Sequence, residues 1–352
     1  MARISNGFWN LVTHDIGIDL GTANTMVSVK GHGIIISEPS VVAVNKNTKQ
    51  VMAVGSEARR MIGRTPSNIV AVRPLKDGVI SDFDSTEAMI RYFIRKVHKD
   101  YPRLLSVPKP RVVIGVPSKI TEVEGRAVVD AALSAGARKA YIIEEPMAAA
   151  IGSRIPIEDA SGSMIIDIGG GTTDIAIISL GGIVVDNTIR IAGDEIDQEI
   201  VNYARHKYNI AIGEKMAEDI KIAIGSAYPR KKETEAQVKG RDLITGLPKV
   251  VTVTSVEIRE ATVKVLEKIA EATREALEQS PPEILSDLLE RGITLVGGGA
   301  LLEGVDKYFE EKLKTPVIIG EEPMSAVARG TDILLSEIDL LEKIQITGED
   351  AI

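Results

Sequence analysis

The stretch IDLGTANTMVSV at residues 18–29 aligns without a gap on IDIGGGTTDIAI at residues 166–177, at a constant offset of 148 residues. Asp19 meets Asp167, Gly21 meets Gly169, Thr25 meets Thr173, and the alternating Val27 and Val29 meet Ile175 and Ile177. Each copy reads as an apolar strand, a turn of small residues and a second strand. A unit that recurs once, at the distance of a whole domain, predicts two similar α/β domains and not a solenoid. The cleft between two such domains is the expected ligand site.

Outward from the first copy, strand-like pieces at 34–36 and 40–44 continue a meander, and apolar residues at helical spacing mark a helix over 85–98. Strands at 111–116 and 140–143 then alternate with helices at 122–135 and 146–151, the βα order of an α/β fold. Beyond the second copy the pattern predicts strands through Val185 and Ile189 and helices at 195–208 and 215–224. It continues with a small β-rich insertion from 235–238 and 250–254, and a long helix over 255–279. A helix after Pro281-Pro282, a strand at 293–296, a Gly297-Gly298-Gly299 turn, a helix near 304–314 and a strand at 317–319 follow.

Length and composition narrow the chemistry. The 352 residues are 44% hydrophobic and 26% charged, ordinary globular values that exclude general disorder. The absence of cysteine excludes a disulfide scaffold, a thiolate metal site and a thiol nucleophile. A net charge of −8 with scattered Lys and Arg argues against nucleic acid as a partner. No apolar run approaches the roughly 20 residues that cross a bilayer, and the N-terminus lacks a signal-peptide core, so a cytoplasmic location is expected.

A carboxylate at a strand end followed at once by glycines and hydroxyls suits a metal–phosphate site: small residues let backbone N–H groups reach phosphate oxygens, and the carboxylate holds hydrated magnesium. Asp19 with residues 20–25 and Asp167 with residues 168–173 supply this twice. One copy alone reads as a tight hairpin with an aspartate in its turn, and it is the aligned pair that favours phosphate. A third glycine turn, Gly297, Gly298, Gly299 and Ala300, ends an apolar strand where absent side chains let a base or ribose lie against the main chain. No GxxxxGK[ST] loop occurs, nor a GxGxxG in Rossmann context.

These motifs resemble the actin/Hsp70/sugar-kinase ATPase superfamily. Within it, IDLGTANT (18–25), EPSVVAV (38–44), RPLKDGVISDF (73–83), IEEPMAAAIG (143–152), the segment 162–184, IGSAYP (224–229) and LVGGGALLEG (295–304) resemble the MreB family of bacterial actin homologues, over about residues 15–335. The resemblance implies an actin-like ATPase fold of two similar α/β domains around a nucleotide cleft, each with a smaller subdomain. The expected division is an N-terminal amphipathic segment (1–14), a first domain (15–147, insertion about 38–80), a second domain (148–328, insertion about 186–254) and a C-terminal segment (329–352) returning to the first.

It further implies ATP and Mg2+ as cofactors, assembly of the chain with itself into filaments that direct rod-shape wall growth, and slow ATP hydrolysis coupled to polymerisation. Thr22, Ala23 and Asn24, with Gly170, Gly171 and Thr172, are the implied phosphate contacts, and Asp19 and Asp167 hold the metal through water. Glu218, Asp219, Ile220 and Lys221 border the nucleoside with residues 297–300. Spacing alone reads Glu218 and Lys221 as a surface ion pair. Glu145 is the implied catalytic residue, orienting water toward the γ-phosphate; the residue pattern alone reads it as an acid complementing the helix that Pro146 opens. A sugar or acyl kinase of the same superfamily is the alternative.

Two segments are candidate membrane carriers. Ile4, Phe8, Leu11 and Val12 fall at helical spacing beside Trp9, the chain's only tryptophan, which suits a short surface helix or, equally, a docked tail. Leu104 and Leu105 lie in the Pro-bounded YPRLLSVPKP, which suits a hydrophobic loop or ordinary burial. Family resemblance places such proteins on the inner face of the cell membrane with rod-complex membrane proteins as partners, and weak anchors add through avidity in a filament.

Overall fold

The computed structural model describes residues 12–102 and 107–346. In chain order come β1 (Ile16–Leu20), β2 (Asn24–Val29), β3 (Gly33–Pro39), β4 (Val42–Asn45), β5 (Val51–Val54), α1 (Ser56–Met61), β6 (Ile69–Val72), β7 (Leu75–Lys76), β8 (Val79–Ile80), α2 (Phe83–Asp100), β9 (Arg111–Val116), α3 (Glu122–Ser134), β10 (Lys139–Glu144) and α4 (Glu145–Gly152). There follow β11 (Ser163–Ile168), β12 (Thr173–Ser179), β13 (Gly182–Ile189), α5 (Gly193–Tyr208), β14 (Ile210–Ala211), α6 (Glu214–Ile224), β15 (Glu235–Asp242), β16 (Pro248–Thr254) and α7 (Ser255–Glu278). The chain closes with α8 (Pro282–Arg291), β17 (Ile293–Val296), α9 (Val305–Leu313), β18 (Val317–Ile319), α10 (Ala326–Ser336) and α11 (Ile338–Ile344).

The chain forms two compact units. The first holds the described residues up to Asp159, the hairpin tip Ile178–Ile183 and those from Ser325 on; the second holds Ala160–Ile177 and Val184–Met324. The boundary expected at 147/148 would cut α4, which stays whole in the first unit because its apolar residues from Pro146 to Gly152 are all buried.

Each unit is built on a five-stranded sheet, and the two strand orders correspond: β10-β9-β1-β2-β3 in one, β18-β17-β11-β12-β13 in the other. β1 runs parallel to β9 and antiparallel to β2, and β11 runs parallel to β17. The aligned repeat therefore occupies equivalent central positions, β1–β2 and β11–β12. Asp19 pairs in register with Gly115 of β9, and Asp167 with Val296 of β17. Both aspartates thus stand at the carboxyl ends of central parallel strands, where open α/β sheets bind ligands.

The central strands are apolar on both faces because both faces are covered: β9 and β11 are buried at every position. Ile16, Ile18, Met89, Phe93 and Ile114 centre one core, and Ile166, Ile177, Ile196, Leu266 and Phe309 the other. Within 38–80 the structure has a small sheet, β5-β4-β6, carrying α1. The strands expected at 235–238 and 250–254 run further, to Asp242 and from Pro248, pairing through Lys239, Gly240 and Arg241, with β14 as a third strand. Val185 and Ile189 share the single strand β13.

Candidate functional site

In the first unit the turn after β1 is held from below by Ser40, a fully buried residue of the EPSVVAV segment. Its hydroxyl donates to the carbonyl of Gly21 at 2.5 Å, its N–H to the carbonyl of Ala23 at 3.0 Å, and its oxygen lies 2.8 Å from Thr25 Oγ1. The turn's carbonyls are thereby tied down on the protein side. Thr22 Oγ1 accepts the N–H of Gly78 at 3.1 Å, which joins the β7–β8 hairpin to the same turn. Asp19 is half-buried, and desolvation pushes its carboxyl up to about 7. A carboxylate whose charge burial disfavours at neutral pH fits a hydrated divalent cation, which restores ionisation.

Glu145 opens α4 directly after β10, and its Cγ lies 3.3 Å from where a Cβ on Gly115 would stand. Gly115 is the register partner of Asp19, so Glu145 and Asp19 lie at the same end of the sheet, on either side of β9. This placement suits a base near a metal–phosphate group, and it equally leaves Glu145 at a helix N-terminus opened by Pro146.

In the second unit Asp167 is 7% exposed. Gly297 takes φ 80°, and a Cβ there would stand 2.3 Å from Asp167 Oδ1, so only glycine lets the late turn approach the carboxylate. Gly169 N–H donates to Thr172 O at 2.9 Å, closing the glycine turn as a tight hairpin. The turn is tied in its turn to the start of α5: Gly193 N–H donates to Gly169 O at 3.2 Å and Asp194 N–H to Gly170 O at 2.7 Å. Ala300 is fully buried in a short 3-10 turn, Gly298–Leu301.

The run 218–221 separates by helical geometry. Ile220 turns into the core at 3% exposure, and Asp219 pairs with Lys215 at 2.8 Å on the solvent side. Neither side chain lies beside that of Lys221. The ammonium of Lys221 donates to Gly193 O at 3.0 Å and pairs with Asp197 Oδ1 at 2.9 Å. Asp197 is buried, which pushes its carboxyl up to about 6 against the pull of Lys221, with Glu218 and Asp194 adding to the rise. Asp197 and Ser40 belong to the site architecture although neither sits in a glycine turn; Ser40 lies in the EPSVVAV segment, and Asp197 lies in no motif. Asp174 accepts from Thr188 Oγ1 at 2.7 Å inside the sheet. Ile4, Phe8, Trp9, Leu11, Leu104 and Leu105 lie outside the described residues.

Two like sheets, each ending its central strand in an aspartate followed by a small-residue turn, define an actin-like ATPase fold. Solved structures agree: "Crystal structure of MreB5 of Spiroplasma citri bound to ADP" matches with a TM-score of 0.88 at 40% identity, over 94% of this chain and 98% of that one. The MamK double helical filament matches in fold with a TM-score of 0.76 at 23% identity, over 92% and 99% of the two chains. The family model for MreB/Mbl protein matches residues 13–343. The cell shape-determining protein Mbl of Bacillus cereus is 51% identical over 95% of this chain and 99% of its own length, and the cell shape-determining protein MreB of Escherichia coli K12 is 49% identical over 95% and 96%. The chain belongs to the MreB/Mbl family. A match of this extent sets aside the sugar or acyl kinase alternative.

Proposed function

We propose that this chain binds Mg-ATP through both units, polymerises, hydrolyses ATP slowly, and determines cell shape as a filament on the inner face of the cell membrane. The observation that carries this reading is the duplicated turn: Asp19 and Asp167 end equivalent strands, each followed by a backbone turn of small residues. Thr22, Ala23 and Asn24 of the first unit and Gly170, Gly171 and Thr172 of the second take the phosphates. Asp19 and Asp167 hold magnesium through its water shell. Glu218, Asp219, Ile220 and Lys221, with residues 297–300, border the nucleoside.

Bound magnesium neutralises phosphate charge. The chain's own contribution to hydrolysis is Glu145, which accepts a proton from water and orients it. Support for nucleotide comes from relatives: MreB5 of Spiroplasma citri has been solved with ADP and with AMPPNP. Support for assembly is the filament of MamK. Membrane attachment rests on the apolar spacing in residues 1–12 and on Leu104 and Leu105, and rod-complex membrane proteins are the proposed partners. No described helix is long and apolar enough to cross a membrane.

The test is pelleting and negative-stain microscopy with Mg-ATP, Mg-ADP or no nucleotide, with and without anionic liposomes, alongside phosphate release. Nucleotide-dependent filaments whose liposome binding is lost on deleting residues 1–12 or changing Leu104 and Leu105 to serine support the whole reading. A protein that binds ATP, never assembles and releases no phosphate refutes it.

A further inference from the structure

Asp197 stands four residues into α5, 6% exposed, and belongs to no motif that the sequence singles out. Its carboxylate meets the ammonium of Lys221 across the α5–α6 packing at 2.9 Å. The same ammonium donates to the carbonyl of Gly193 at 3.0 Å, and the N–H of Gly193 donates to the carbonyl of Gly169 at 3.2 Å. A continuous polar relay thus runs from Asp197 through Lys221 and Gly193 to the glycine turn beside Asp167. The ammonium's hydrogen bond goes to Gly193 O, and Asp197 Oδ1, buried with no hydrogen-bond partner of its own, meets it as an ion pair.

We propose that Asp197 is a positioning residue of the nucleotide site: its carboxylate fixes the ammonium of Lys221 under the carbonyl of Gly193 and so sets both the nucleoside-side lysine and the glycine turn. The proposal rests on the reading that Lys221 borders the nucleoside. A flexible lysine held by one carbonyl alone samples several rotamers; an ion pair in a buried setting selects one. The ammonium then meets the ligand already oriented, and the cost of ordering it is not drawn from binding.

The charged groups acting on Asp197 are Lys221 and Glu218 from α6 and Asp194 from its own helix. Burial, Glu218 and Asp194 raise its pKa, to about 6, and Lys221 opposes them. Above that pH the carboxylate is charged and holds Lys221; as pH falls through it the pair is lost, and affinity falls with it.

The experiment is the Kd of Mg-ADP at saturating magnesium between about pH 7.5 and about pH 5, for the full chain and for Asp197→Asn, Lys221→Met and the double variant. Asp197→Asn is expected to weaken binding roughly tenfold at the upper pH, the scale of one close charge pair. The ratio to wild type should shrink toward one at the lower pH, and because it is a ratio, titration of the ligand and of Asp19 cancels. Lys221→Met should abolish this pH limb, and adding Asp197→Asn to it should change nothing further. A ratio that stays constant with pH, or an equal loss from Asp197→Asn in the Lys221→Met background, overturns the positioning role. Should Asp197→Asn fail to fold, Lys221→Met against wild type still decides: an unchanged pH limb overturns the proposal. If Lys221→Met leaves Mg-ADP affinity intact at every pH, what fails is the nucleoside reading itself.

Discussion

Asp15 and Arg111 form a buried two-point pair: Asp15 Oδ2 accepts Nη2 and Nε of the arginine at 2.6 and 3.1 Å, while Oδ1 accepts its main-chain N–H at 2.9 Å. Arg138 adds a donor at 2.9 Å to Oδ1. The residue just before β1 is thereby fastened to the first residue of β9 and to the approach of β10, at the end of the sheet opposite Asp19. Asp15→Asn leaves two guanidinium groups around a neutral amide in a site where the aspartate side chain is only 3% exposed. Breaking such a pair costs about 3–5 kcal/mol. Thermal unfolding should show the loss in full; a variant as stable as wild type would mean that solvent reaches the site.

The crossing of α4 and α10 is a backbone contact. A Cβ on Gly330 would stand 1.8 Å from Ala148 O, and one on Gly152 would stand 1.9 Å from Ala326 O. Neither obstacle is a side chain that can rotate away, so the helices must separate. Gly330→Ala is therefore expected to destabilise by more than the roughly 1–3 kcal/mol of ordinary overpacking, with a matching drop in the unfolding midpoint. Gly298→Ala is the control, since a Cβ there meets nothing within 4 Å.

How far the sequence was legible follows from the same contacts. Strands β9, β17 and β18 match their expected limits because each is a short apolar run between turn signals. The subdomain strands β5 and β6 and the helix α1 were not legible: half-exposed, with only Ala58 of α1 buried, they carry no clean period. In the site, the turns announced themselves by repetition, since two aligned copies are far more informative than one. Ser40 and Asp197 did not, because their roles depend on long-range pairs, to Gly21 and to Lys221, that no spacing along the chain encodes. Asp219, Ile220 and Lys221, neighbours in the run 218–221 that the family resemblance implies, send their side chains to different faces because a helix turns about 100° per residue.

Glu257 gives the protein an acid-sensitive joint. Its carboxylate closes a capping box with Thr254 at the start of α7 and also takes the hydroxyl of Tyr208 at 2.5 Å and the ammonium of Lys207 at 2.8 Å from the end of α5. Burial works against its charge, but hydrogen bonds from Lys207, Tyr208 and Thr254 outweigh it and hold the carboxyl at about 2. The folded pKa lies below the unfolded one, so the stabilisation is present above the ordinary value of 4.5 and disappears as pH falls through about 2. Urea midpoints measured across that window should fall more steeply for wild type than for Glu257→Gln. Parallel curves would show that the contacts do not persist in solution.

Glu145 separates binding from turnover. Its side chain lies against Gly115, the register partner of Asp19, and it is not among the residues proposed to hold the phosphates or the nucleoside. Replacing it by glutamine keeps the size and the hydrogen-bonding capacity but removes the proton acceptor. If Glu145 acts as the base, single-turnover phosphate release from Glu145→Gln falls by about 10²–10⁴-fold, the range for a lost general base, while the Kd of Mg-ATP stays within a factor of about two. Filaments should still form and should persist longer, because the nucleotide remains ATP. If Glu145 instead only complements the helix that Pro146 opens, the substitution costs roughly 0.3–1 kcal/mol of stability and leaves phosphate release unchanged. Measuring release and unfolding on one preparation distinguishes the two roles.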